Sequence, residues 1–208
     1  MIEPITIQDN EEYLRQVSKE VNIHDKNLKY EIELLGKFCK EHDVMAMAAV
    51  QIGIPKRIIY LKNTDIDIIN RMQRDEQSTE DKLYNEGRVL INPIIIERYG
   101  LTEYWEACAS CLNLCGKVKR PYLMKVNYID ENYDVQEEWF EGFEATVLSH
   151  ELDHLDGVLH MDVADEVIYM LLSERKQLRQ KEGYKIIQKE DPYEELLNKY
   201  KEQVRVKK

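Results

Sequence analysis

Residues 145–157 of this 208-residue chain read ATVLSHELDHLDG, and this stretch decides the fold. Side chains four positions apart lie on one face of a helix, so His150 and His154 can bind one metal ion while Glu151 faces its open coordination position. A carboxylate there can move a proton from the attacking water to the leaving nitrogen. HExxH also occurs by chance on helices with exposed charges, so the interpretation needs a third ligand.

Two segments offer that third ligand. Downstream, residues 150–160 read HELDHLDGVLH, which fits the HExxHxxGxxH pattern of metzincin proteases with His160 as the ligand. Upstream, Cys108 in the segment WEACASCLN offers a thiolate. Metzincins also need a Met-turn well beyond the third histidine, yet Met161 is adjacent to it and Met170 lies in a helical pattern. The context therefore predicts that His160 is an ordinary polar side chain.

The composition narrows the class of protein. With 208 residues and 43% hydrophobic content, the chain is predicted to form a single domain over residues 1–208. No run of about 18 apolar residues exists, and the N-terminus is acidic, which argues against a membrane span, a signal peptide and a transit peptide. Four cysteines without a secretion signal indicate reduced thiols or metal ligands in the cytoplasm. A net charge of -11 argues against a strong hold on nucleic acid and favours a small or peptidic substrate.

The residue pattern predicts an α+β fold, because helices and strands are segregated rather than alternating. Apolar spacing predicts helices at 10–22, 27–42, 145–155, 163–182 and 192–206. Alternation and β-branched residues predict strands at 57–61, 88–100, 122–130 and 134–145, with a turn at 130–134. Residues 63–86 are polar and charged, with no sustained helical or strand periodicity, so we expect a charged surface insertion there. The helix predicted at 192–206 would form a C-terminal extension at about 190–208.

Beyond these patterns, the chain resembles peptide deformylases in three motifs that occur in the family's order. The resemblance covers about residues 5–180 and includes the segments IGIPKRII, LINP and EGFEATVLS between and before the motifs. The family motif GφGφAAxQ is matched at Ala48, Ala49 and Gln51, EGCLS at Glu106, Cys108 and Ser110, and HExDHLxG at His150, Glu151, Asp153, His154, Leu155 and Gly157.

The resemblance implies antiparallel sheets packed around a central HExxH helix. It also implies an enzyme that removes the N-formyl group from the N-terminal methionine of newly made polypeptides, with a pocket for the methionine side chain. Cys108, His150 and His154 would hold one divalent ion, usually Fe²⁺ in this family, with Zn²⁺, Ni²⁺ or Co²⁺ as substitutes. N-formyl-methionyl nascent peptides would then be its partners.

The resemblance also assigns supporting roles around the metal. Glu151 would be the catalytic acid and base. The side-chain amide of Gln51 and the backbone N–H of Ala109 would stabilise the oxyanion that forms when the formyl carbon is attacked. Glu106 would brace the motifs without binding metal.

The chain departs from the family pattern at four positions. Two motif glycines are Val44 and Ala46, a third is Ala107, and a motif leucine is Ala109. Side chains in place of glycine are expected to narrow the cleft or shift its backbone, because the first motif pairs with an extended substrate in the family. This leaves open a deformylase-like paralogue with altered or lost activity, besides the metallopeptidase that would use His160.

Two further features have competing interpretations. Cys111 and Cys115 form a zinc half-site with Cys108, but no second half-site follows, so we expect buried small hydrophobic residues. Residues 192–208 end in a basic cluster, and some family members dock on the ribosome through a C-terminal helix. A solvated helix packed on the body is the favoured interpretation, and a ribosome contact is the alternative. The cluster consists of Lys199, Lys201, Arg205, Lys207 and Lys208.

Overall fold

The computed structural model describes residues 3–42, 44–62 and 87–189. The predicted insertion at 63–86 lies outside these ranges, and so does the C-terminal extension predicted at about 190–208. Within them, the helices are α1 (Ile7–Leu14), α2 (Leu28–Glu41), α3 (Gly142–Leu155), α4 (His160–Val163) and α5 (Leu172–Glu182), with 3-10 turns at Ala49–Ile52 and Ala109–Cys111.

Nine strands of the described part form two antiparallel sheets. The five-stranded sheet has the order β1-β2-β3-β6-β7 and the four-stranded sheet the order β8-β5-β4-β9. The strands are β1 (Ala46–Ala48), β2 (Ile58–Lys62), β3 (Gly87–Tyr99), β4 (Leu101–Ala107), β5 (Leu114–Arg120), β6 (Leu123–Ile129), β7 (Val135–Glu141), β8 (Ala164–Tyr169) and β9 (Lys185–Gln188).

Helix α3, which carries HExxH, is the centre of this arrangement. Most of its side chains are buried, including polar ones, and it contacts strands of both sheets. Apolar side chains from its first and last turns join the largest core cluster, which excludes water beneath the five-stranded sheet. The α+β class and the central helix between antiparallel sheets are therefore confirmed. The helical members of this cluster include Phe143, Leu148, Leu152 and Leu155.

Several predicted elements agree with the structure. The helix at 27–42 is α2, and the strands at 57–61, 88–100 and 122–130 correspond to β2, β3 and β6. The turn at 130–134 forms because Asp130 Oδ1 accepts hydrogen bonds from the backbone of Asn132 and Asp134, at 2.9 and 3.0 Å. No helix in the described ranges is both long and apolar enough to cross a membrane.

The helix predicted at 10–22 is wrong in both bounds. A capping box between Thr6 and Asp9 starts α1 earlier, and the helix ends at Leu14. The chain then runs beside other segments instead of continuing the helix: the backbone N–H of Ser18 bonds to the carbonyl of Leu155 at 2.8 Å. Tertiary hydrogen bonds from the backbone of Ser18, Lys19 and Val21 thus replace helical ones after the helix ends.

Two further predictions are corrected. The helix at 163–182 is in fact a strand followed by a helix, because β8 pairs with β5 along Leu114–Val118 and only α5 is helical. The strand at 134–145 ends at Glu141, where Gly142 at φ 63 turns the chain directly into α3. Strands β4, β5, β8 and β9, which form the whole second sheet, were not predicted as strands.

Candidate metal centre

Three of the predicted site residues converge on one point. The ligand atoms of Cys108, His150 and His154 all lie within 4.8 Å of one another, and the Cys108 sulfur is 3.2 Å from His154 Nε2. Helix α3 supplies the histidines, while Cys108 follows the end of β4 and precedes a 3-10 turn. A thiolate and two imidazoles suit a tetrahedral divalent ion with one position left for substrate or water. Within the described residues, this is the group with metal-ligand geometry.

A buried ion pair holds the first histidine in place. Glu106 Oε2 lies 2.9 Å from His150 Nδ1, which leaves Nε2 free to face the centre. Arg120 donates two hydrogen bonds to the same carboxylate, at 2.8 and 3.0 Å, and a third to Asp153 on α3. Burial raises the pKa of Glu106, but the larger opposite effect of Arg120 and His150 lowers it to about 2. The carboxylate is therefore charged, in the bracing position that the sequence indicated.

Sequence reasoning did not single out Arg120. Arg120 is 6% exposed, and its guanidinium joins β5 to the ligand helix. Its only sequence signal is the alternation of β5, in which an inward position is occupied by a charged residue. The role of this arginine is visible only in the tertiary structure, which places the Glu106 carboxylate within hydrogen-bond distance of it.

Glu151 occupies a dry position beside the same centre. It is 5% exposed, and its Oε2 atom has no hydrogen-bond partner in the described residues. Burial raises the pKa of this carboxyl to about 7; His150 opposes the shift and Cys108 adds to it. A carboxyl with a pKa near neutrality can both accept and return a proton.

Gln51 is held with its amide nitrogen toward the cysteine. Its Oε1 accepts a hydrogen bond from the backbone of Ala48 at 3.0 Å, which fixes the orientation of the side chain. Its Nε2 then donates to Ser110 Oγ at 3.0 Å and approaches the Cys108 sulfur at 3.4 Å. The backbone N–H of Ala109 starts a 3-10 turn and so has no partner within that turn. Both groups can donate to a charge that develops near Cys108.

A cavity of about 730 Å³ opens onto these groups. Its apolar walls include Met45, Met47 and Val147, which suit an unbranched apolar side chain. The four positions that depart from the motifs also line this cavity, so they bear directly on whatever occupies it. They are Val44, Ala46, Ala107 and Ala109.

The residues of the competing interpretations are outside the ligand group, although His160 lies beside it. His160 is 1% exposed, and its ring stacks on that of His150 with centroids 5.6 Å apart, but it is not part of the ligand group. Burial lowers its pKa. The sequence predicted a polar side chain outside the ligand set, and the structure adds that this side chain is buried. Cys111 and Cys115 are fully buried free thiols outside the ligand group, as expected of small hydrophobic residues.

The fold and the site together define a metal-dependent hydrolase with an HExxH helix. A sequence model of the polypeptide deformylase family matches residues 2–168, and the chain belongs to this family. It is thus a metal-dependent amide hydrolase whose reaction removes the N-formyl group from the N-terminal methionine of newly made polypeptides. Peptide deformylases use a divalent metal, which agrees with the Cys-His-His group.

Individual relatives agree. The peptide deformylase of Pelagibacter ubique is 34% identical over 151 residues, covering 72% of this chain and 78% of that protein. Peptide deformylase 2 of Clostridium acetobutylicum is 32% identical over 159 residues, covering 76% and 93%. The crystal structure of the Thermotoga maritima peptide deformylase superposes with a TM-score of 0.64 at 29% identity, covering 80% of this chain and 99% of that one. The Synechococcus elongatus enzyme in complex with actinonin has a TM-score of 0.64 at 28% identity, covering 88% and 86%.

Proposed function

We propose that this chain deformylates nascent peptides with one divalent ion held by Cys108, His150 and His154, and with Glu151 carrying the proton. The observation that carries the proposal is the convergence of the three ligand atoms within 4.8 Å. His154 Nδ1 and Glu151 Oε2 are buried without hydrogen-bond partners among the described residues. These two polar atoms of the site are therefore free to contact a bound group. A thiolate and two imidazoles match ferrous iron, zinc, nickel or cobalt, and ferrous iron is our proposal from the family resemblance.

The chain's own groups divide the work of the reaction. The bound ion would supply Lewis acidity and make a water molecule nucleophilic near neutral pH. Glu151 takes the proton from that water and returns it to the leaving amine. The Gln51 amide and the Ala109 N–H donate to the formyl oxygen as it becomes negative. Glu106 and Arg120 keep His150 in the tautomer and orientation that binding requires.

The ligand assignment is tested by metal content. Cys108→Ala should abolish stoichiometric metal in protein purified without oxygen. Cys111→Ala is the matched control, because it removes a buried thiol three positions away that lies outside the ligand group. His160→Ala should also keep the metal. Loss of metal from the His160 variant, with retention in the Cys108 variant, would overturn the assignment.

The role of Glu151 is tested by separating metal binding from turnover. Glu151→Gln keeps the shape of the side chain and removes the base. We expect full metal content and a fall in formate release from a formyl-methionyl peptide of at least about 100-fold, the low end for general acid–base catalysis. Loss of metal instead would show that Glu151 is a ligand.

The proposal extends to the setting of the enzyme. Residues 1–208 would form one domain in the cytoplasm, where ribosomes release formylated chains. The basic cluster within residues 192–208 lies outside the described residues, and its contact with the ribosome is a separate hypothesis. If the contact exists, deleting 192–208 should leave activity on a short formyl-peptide unchanged and weaken salt-sensitive co-sedimentation with ribosomes. Unchanged co-sedimentation would reject it.

A further inference from the structure

One wall of the cavity carries positive charge that the reaction leaves unused. Helix α5 has no fully buried residue, and it presents Arg175 and Arg179 to the cavity from the same face, one turn apart. Lys176 also lines the cavity but has contacts of its own. The family match ends at residue 168, so this helix lies beyond the matched segment.

The two arginines differ in how they are held. Arg179 donates its Nε hydrogen to the carbonyl of Trp105 at 2.9 Å and lies over the ring of Tyr104, 4.9 Å from its centre. Arg175 is half-buried, and its Nε has no hydrogen-bond partner in the described part of the chain. The charged or titratable groups that act on Arg175 are Arg179, Cys115 and Tyr104, and none of these is a carboxylate. Burial and the charge of Arg179 lower the pKa of Arg175, and Cys115 and Tyr104 oppose this shift.

Within the described residues, no acidic side chain that lines the cavity pairs with Arg175. The acidic side chains that line it are Glu106 and Glu151. Glu106 is already paired with Arg120 and His150, and Glu151 is the proposed proton carrier. The Arg175 guanidinium is therefore available to a molecule that enters the cavity, in a chain whose net charge is -11.

We propose that Arg175, supported by Arg179, makes this deformylase favour nascent peptides with an acidic side chain soon after the formyl-methionine. The inference rests on the proposed function, since it assumes that the peptide occupies this cavity. A nascent chain has no free carboxyl end near its N-terminus, so the carboxylate comes from Asp or Glu at the second or third residue. An arginine fork binds carboxylates well because its donors match both oxygens.

The test uses four peptides with amidated C-termini, so that only side chains carry a carboxylate. They are formyl-Met-Glu-Ala, formyl-Met-Gln-Ala, formyl-Met-Ala-Glu and formyl-Met-Ala-Gln. At one position or the other, kcat/KM for the Glu peptide should exceed that for its Gln partner by about fivefold, the size of one favourable charge pair at a partly exposed site. Salt should reduce this preference.

Variants test whether Arg175 causes the preference for the Glu peptides. Arg175→Gln should bring the ratio close to one, and Arg175→Lys should keep most of it. Lys181→Gln is the matched control, because it removes one charge from the same helix at a position that does not line the cavity, and the ratio should not change. A wild-type ratio of one or below at both positions would overturn the inference. So would a preference that survives Arg175→Gln, or one that appears only with free C-terminal carboxylates.

A binding measurement separates this inference from the function itself. Calorimetry with the unformylated peptides Met-Glu-Ala and Met-Ala-Glu, against their Gln counterparts, measures the same preference without turnover. Absence of formate release from every formyl-peptide would reject the proposed function, while the binding ratios would still decide the role of Arg175. Equal affinities for Glu and Gln peptides in the wild type would reject the role of Arg175 whatever the turnover.

Discussion

Replacing Arg120 with methionine is the perturbation that should most damage the metal centre from outside the ligand set. The guanidinium makes two hydrogen bonds to Glu106 and one to Asp153. Methionine keeps much of the side-chain volume and removes all three. Glu106, 4% exposed, would then be a buried carboxylate whose remaining partner is His150.

The magnitude follows from the burial of the pair. Breaking a buried ion pair by removing one partner costs about 3–5 kcal/mol, because the remaining charge stays desolvated. Lys119→Met on the same strand is the control: Lys119 pairs with Asp165 at 2.6 Å, but both side chains are about half exposed. Loss of that surface pair should cost less than about 1 kcal/mol. Each variant removes one positive charge, so the difference between their losses of stability is due to the burial of the broken ion pair.

Two measurements check this prediction. Urea unfolding of metal-free protein gives the free energy of unfolding, and competition with a chelator gives the metal affinity. We expect affinity to fall by about 10- to 100-fold, since His150 loses its fixed orientation. Adding Glu106→Gln to Arg120→Met should recover part of the lost stability, because no charge stays buried. Equal losses in the Arg120 and Lys119 variants, or unchanged metal affinity, would refute the reasoning.

Three other predictions concern stability. Gly157→Ala should cost more than about 2 kcal/mol in thermal or urea unfolding, because φ is 73 and a Cβ would lie 2.1 Å from the carbonyl oxygen of Arg15. Asn92→Ala should cost about 2 kcal/mol, because its side chain makes two hydrogen bonds to the Val21 backbone. The pKa of Glu106 is lowered from 4.5 to about 2, which stabilises the metal-free protein above pH 4.5. This stabilisation should be lost as the pH falls toward 2. In Glu106→Gln, the free energy of unfolding should depend less on pH over this range.

The sequence predicted correctly those helices, strands and turns that have a strong local signal. Helix α2 and strands β2, β3 and β6 have clear periodicity or β-branched runs, and the turn after β6 has an aspartate that bonds its own backbone. The outer strands of the second sheet, β8 and β9, were missed because most of their side chains are exposed. Strand β8, for example, has mostly exposed side chains and is held by backbone pairing with β5, which leaves no periodic apolar signal.

The HExxH motif by itself predicted His150 and His154 as metal ligands and Glu151 as the proton carrier, because those residue types at helical spacing are visible in the sequence. Cys108 lies 42 residues before His150, so the sequence preferred it to His160 only through the family resemblance and the lack of a Met-turn. The fold adds that the candidate ligand atoms of Cys108, His150 and His154 lie within 4.8 Å of one another. The brace from Arg120 and the positive wall at Arg175 were decided by the tertiary structure alone. Each depends on which groups surround a charge once water is excluded, and burial and partners arise only when distant segments pack.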